Sequence, residues 1–156
     1  MHKFNSLQLA IDLAATKRDQ ALADLQKLRK AHAFANSQMA QLEQYAVETE
    51  QRWTRNAQIS TTPELLHHHY QFMARLQQAI SMQTTVIAGS SRTVQLAEQR
   101  MLQAELRLAS LKLVLTHRLA EVDKLKARQE QKLTDEFAAM QTLRQRSAHM
   151  ENSHGH

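Results

Sequence analysis

The residues whose types could do chemistry are few, and their spacing works against most of it. His67-His68-His69 has the look of a metal-binding cluster. Consecutive residues on a helix point about 100° apart, however, so three neighbours cannot converge on one ion. The run reads as solvated helix surface, with His69 partly turned into the helix-packing seam. Asp135 and Glu136 are adjacent and diverge around a helix in the same way, so they make no carboxylate pair for acid–base work. His154-Gly155-His156 could hold a stray cation weakly and is assigned no role. Arg18, His32 and Arg118 fall on otherwise apolar stripes, where they read as polar seam residues that fix register at some cost in stability. No nucleophile–base arrangement emerges, and the absence of Cys removes thiolate zinc sites, disulfides and a thiol nucleophile. No catalytic activity, metal or cofactor is expected.

The elements that carry these residues follow from composition. The 156 residues include 2 Gly, 1 Pro and 4% aromatics against 42% hydrophobic residues, and Ala, Leu, Gln, Lys, Arg and Glu dominate. So few turn-formers exclude sandwiches, barrels, βα repeats and Gly-rich phosphate loops, leaving long helices. The one strong stop-and-start signal is Ser60-Thr61-Thr62-Pro63-Glu64. Either Thr62 caps a helix with Pro63 in its first position, or Thr61 and Glu64 form a capping box.

Before that signal, positions 7, 11, 14, 18, 21, 25, 28, 32, 35, 39, 42, 46, 49 and 53 keep strict 4-3 spacing, and eleven of these fourteen are apolar. That is a coiled-coil seam. After it, the same spacing runs from Leu66 through His69, Met73, Leu76, Ile80, Gln83, Ile87, Ser90 and onward to Leu115, Arg118, Val122 and Leu125. Gly89-Ser90-Ser91 is a soft spot; since Ile87 and Val94 stay in register around it, one continuous helix is preferred over a break. Past Leu125 the apolar residues at Leu133, Phe137, Met140 and Leu143 imply a stutter.

The expected fold is all-α: an antiparallel two-helix coiled coil, a long α-hairpin, with helix 1 over about 4–57, a turn over about 58–62 and helix 2 over about 63–147. Residues 148–156 show no periodicity and are expected to form a disordered tail. A short connection forces antiparallel pairing, so partners across the seam have numbers summing to about 120. Helix 2 then overhangs helix 1, over approximately 118–147, with Val122, Leu125, Leu133, Phe137, Met140 and Leu143 on one unpartnered stripe. Such a stripe is a predicted contact site. A second stripe, Leu65, Phe72, Ala79 and Val86, lies beside the seam as either a widened core or a docking groove.

Lys+Arg 20 against Asp+Glu 15 gives +5. Residues 1–57 carry 8 basic and 6 acidic groups, 58–117 carry 5 and 3, and 118–156 carry 7 and 6, so the excess is not concentrated as a nucleic-acid footprint would be. No stretch approaches the ~18 consecutive apolar residues of a membrane span, and Met1-His2-Lys3-Phe4-Asn5-Ser6 lacks the features of a signal peptide. A soluble, cytoplasmic protein without direct transmembrane insertion is expected.

Three stretches resemble the FliJ family of flagellar type III export proteins: Ala31 to Tyr45, Tyr70-Gln-Phe-Met-Ala-Arg-Leu-Gln-Gln-Ala-Ile80, and Glu130-Gln-Lys-Leu-Thr-Asp-Glu-Phe-Ala138. The second and third, at their mutual distance, are the more specific. The resemblance covers roughly 5–145. It implies a cytoplasmic export component, peripherally associated with the inner membrane through the export apparatus and similar to the coiled-coil stalk of rotary ATPases. The implied partners are the hexameric export ATPase FliI, the export gate FlhA and export chaperones. Carried over by position, Phe72, Leu76 and Ala79 match the gate-contacting surface. The segment Asp135-Glu136-Phe137 matches the late motif, which places Val122, Leu125, Leu133, Asp135, Glu136, Phe137 and Met140 at the ATPase-facing end. The equivalent stalk of a virulence secretion system and a self-associating structural coiled coil are the alternatives.

Overall fold

The structure is a computed structural model and describes residues 4–154. It contains two helices, α1 (Asn5–Ile59) and α2 (Pro63–His154), of 55 and 92 residues, and no strand among the described residues. The fold is the expected all-α antiparallel helical hairpin.

The connection is Ser60–Thr62, every residue of it exposed. The Ser60 amide donates to the Asn56 carbonyl at 3.0 Å, closing the last turn of α1. The hydroxyl oxygen of Thr62 accepts from the Leu65 amide at 3.2 Å, and its carbonyl accepts from the Leu66 amide at 3.0 Å. Thr62 is therefore the N-cap and Pro63 the first helical residue, where the missing N–H of proline costs nothing. Glu64 sits in the first turn, against the positive end of the helix dipole.

The far end of α2 departs from expectation. The helix continues to His154 rather than ending near residue 147. Ser147 to His154 contains neither Gly nor Pro, so nothing in the residue types stops the helix there, whatever the loss of apolar periodicity. Gly155 and His156, and with them most of the His-Gly-His tail, lie outside the described residues.

The chain resolves into two compact units, Asp12–Leu108 and Met1–Ile11 with Ala109–His156. In the first of these, the turn-containing unit, Ala14, Leu25, Ala35, Leu76, Ala97 and Leu108 are buried. The core is one layer thick, so no described side chain is completely enclosed. Each buried leucine of the seam, nearly but not wholly enclosed, contributes up to roughly 1.5–3 kcal/mol. Every position of the 4-3 series in α1 is buried or partly buried, and so is every one in α2 from His69 to Leu115. Polar groups in the seam set the register. The Gln83 side-chain amide donates to the Ala35 carbonyl at 2.8 Å, and Glu50 pairs with His69 at 3.1 Å. His32 Nδ1 lies 2.6 Å from Ser90 Oγ, which itself lies 3.0 Å from the Ile87 carbonyl. One arrangement satisfies all members: Asn36 donates to His32 Nε2, His32 Nδ1–H to Ser90, and the Ser90 hydroxyl to Ile87. Residue numbers across these pairs sum to within a few units of the expected ~120.

α2 runs unbroken through Gly89-Ser90-Ser91. Gly89 has no positive φ, and a Cβ built on it would meet nothing within 4 Å. The glycine is thus not required by geometry.

In the other unit, Leu7 and Ile11 are buried, while Leu111, Leu115 and Val122 are partly buried. Arg118 and Leu125, expected in the seam, are exposed. α1 starts at Asn5, so too little of it is left to cover them. From Asp123 to Ser153 every residue of α2 is exposed.

Candidate partner-binding surfaces

Two surfaces stand out, one in each unit. The larger is the bare length of α2 from Asp123 to Ser153, roughly 45 Å long at 1.5 Å per residue. Leu125, Leu133, Phe137, Met140, Leu143 and Met150 are 56–65% exposed on it. At 100° per residue they and Val122 occupy one arc of roughly 140° around the helix, the stripe of a helix built to pack against something. An isolated amphipathic stretch of this length gains nothing from that arrangement in water. Of the residues expected at this end, Val122 is the exception in exposure, being partly buried in a cleft of about 350 Å³ with Phe4, Arg118, Glu121 and Leu125. Asp135 accepts from the Gln131 side chain at 3.0 Å, one turn away, whereas Glu136 projects toward the stripe itself.

The second surface is on the turn-containing unit, along the flank where α1 and α2 meet. Phe72 is 37% exposed and packs edge-on against Tyr45, with ring centroids 5.9 Å apart at 81°. Ala79 is partly buried, and Leu65 and Val86 are about half exposed. A groove of about 450 Å³ lined by Gln38, Gln41, Leu42, Tyr45 and Gln83 adjoins this row. The stripe is thus an exposed flank with an aromatic pair on it, rather than a widened core. Leu76, expected on the contacting surface beside Phe72 and Ala79, is 7% exposed. It is a seam residue, and what it can offer a partner is the placement of its neighbours. Tyr45 had no expected role; its spacing, four residues before seam position Thr49 and three after Leu42, was the signal that puts it on the same flank.

The histidine run does not converge. His67 and His68 are exposed with ring centroids 6.4 Å apart, and no group of metal-ligating side chains occurs among the described residues. His69 behaves differently from a solvated residue. It is 9% exposed, stacks flat on Trp53 at 4.4 Å and 7°, and meets the Glu50 carboxylate through Nε2. The three residues clasp the hairpin near its turn. Among the described residues no helix is long and apolar enough to cross a membrane.

Comparison with known proteins adds a family. The family model described as the flagellar FliJ protein matches residues 2–147. No curated protein and no solved structure matches the chain.

Proposed function

From the premise that this chain belongs to the FliJ family and is a component of the flagellar export apparatus, we propose that it is a non-enzymatic stalk and adaptor within that apparatus. The bare end of α2 enters the central opening of the hexameric export ATPase FliI. The flank carrying Phe72 and Ala79, positioned by buried Leu76 and backed by Tyr45, contacts the export gate FlhA. The protein works in the cytoplasm, held at the inner membrane through these partners, and assists in handling export chaperones.

The observation that supports the reading most is the unpartnered apolar stripe from Leu125 to Met150, present on a helix whose opposite faces are polar. A stalk needs such a surface: long, continuous and free of its own partner. Leu133, Phe137 and Met140 are the anchors, with the Glu136 carboxylate among them on the stripe and Asp135 off to its side. The test is a purified system with the ATPase ring. Phe137→Ala combined with Met140→Ala is expected to lower ring binding and ATPase stimulation at least tenfold, about the loss of 1.4 kcal/mol. Unchanged stimulation would refute the assignment of this end. Phe72→Ala is the matching probe for gate binding on the other flank.

A further inference from the structure

The two flanks of the turn-containing unit carry opposite charge. On the flank of Tyr45 and Phe72, the heptad positions beside the seam hold Lys17, Asp24 and Arg52 on α1 and Arg100 and Arg107 on α2, four cations and one carboxylate. The other flank, located by the Arg29–Glu98 pair at 3.3 Å, holds Arg29 with Glu43, Glu50, Glu98 and Glu105, the reverse balance. A tally along the chain misses this division, because each flank draws on both helices.

Three of the cations gather where the seam is built of small residues. Two adjoining clefts of about 190 and 220 Å³ share Lys17 and Arg100, and Arg107 lines the second. Ala21 and Ala97 floor the first, Ala14 and Ala104 the second, so the clefts form one trough between the helices. Lys17, Arg100 and Arg107 are exposed and pair with no carboxylate among the described residues. Asp24, the one acidic group lining the trough, pairs with none of them. Leu13 and Leu96, 57% and 46% exposed, stand on the rims, one heptad before Gln20 and Gln103 of the lining.

We propose that this trough docks an acidic amphipathic helix of a partner protein, its apolar side chains on the alanine floor and its carboxylates on Lys17, Arg100 and Arg107. Arg100 and Arg107 are seven residues apart, about 10.5 Å along α2. Carboxylates at one heptad position of a docked helix repeat at the same distance, so both guanidinium groups are met at once. The floor sets this occupant apart from a polyanion. A phosphate backbone has no apolar side chain to place on alanine or against Leu13 and Leu96, and a flat lipid surface touches the rims while leaving the floor empty. The trough lies roughly 40 Å along the flank from Phe72, at 1.5 Å per residue, and its occupancy does not depend on the role proposed for that residue.

The probe is a fluorescein-labelled synthetic peptide about three heptads long, with Leu at the core positions and Glu beside them, titrated with the full chain by fluorescence anisotropy at physiological ionic strength. Binding is expected. Arg100→Glu with Arg107→Glu should weaken it at least about tenfold, by turning attraction into repulsion at two sites, and should confer binding of the same peptide with Lys in place of Glu. Both arginines are exposed, and dichroism checks that the helices persist. Lys30→Glu, on the outer face of α1, should change little. A peptide with Ser in place of Leu should bind about tenfold more weakly, since the floor then goes unused. No binding of the acidic peptide, an equal loss with Lys30→Glu, or a serine peptide as good as the leucine one would overturn the proposal. So would duplex RNA or anionic-lipid vesicles that bind through the two arginines more tightly than the peptide does. Loss on Phe72→Ala with the double arginine variant unaffected would put the peptide on the other stretch of the flank and refute the trough as its site.

Discussion

Replacing Gly89 by alanine should stabilise the protein, and the size of the gain can be worked out. Glycine inside a helix is about 0.8–1.0 kcal/mol less favourable than alanine, because it loses more backbone freedom on folding. That gain is often cancelled by a positive φ or by a clash of the new methyl. Gly89 has neither, since its φ is not positive and the space within 4 Å of its would-be Cβ is empty. Nor is there a hydrophobic gain to add, because the position is exposed. The whole propensity difference should therefore appear, about 1 kcal/mol, which for a chain of this length is about 2–4 °C in Tm. Circular dichroism at the helix minimum during thermal melting measures it. Ala88→Gly, one residue away and equally exposed, should cost about the same, and the swapped double variant should return to the starting stability. A lower Tm for Gly89→Ala would refute the reasoning, showing that the glycine serves a conformation other than the straight helix.

Two further perturbations test the hairpin itself. Thr62→Ala removes the N-cap of α2 and should cost about 1 kcal/mol in a denaturant titration, whereas Thr62→Ser should be nearly neutral; equal effects would deny the cap. His69→Ala should cost roughly 1–2 kcal/mol and shift the emission of Trp53 to the red as its stacked face meets water, an unmoved emission maximum being the contrary result.

Much of the hairpin was legible in the sequence because one geometric rule governs it. A 4-3 series of apolar residues and a single Thr-Pro signal fix both helices, their direction and the pairing numbers, and the observed His32–Ser90 and Gln83–Ala35 contacts fall where that rule puts them. The same series already held Leu76, and its burial follows from its seam position; reading it also as a contacting residue asked one side chain to face two ways. The clasp of Trp53, His69 and Glu50 was not legible. Periodicity says that positions 53 and 69 lie in the seam but not that their rings lie flat together, which depends on rotamers. The extension of α2 to His154 was missed for a different reason: loss of apolar periodicity reports that a helix has nothing to pack against, while only Gly, Pro or a cap reports that it stops. The exposed flank of Phe72 and Tyr45 was half visible, as one stripe on α2 whose α1 partner emerges only from the pairing.

The position of Trp53 has a consequence for how the molecule can be watched. It is the single tryptophan, and with Tyr45 and Tyr70, the only tyrosines, it lies in the turn-containing unit. Tryptophan and tyrosine fluorescence is therefore blind to the bare length of α2, while far-ultraviolet dichroism counts every helical residue alike. The two signals divide the molecule between them. Fraying or ordering of the bare helix changes dichroism with the tryptophan silent, and opening of the clasp changes both, so an unmodified sample carries its own pair of independent reporters.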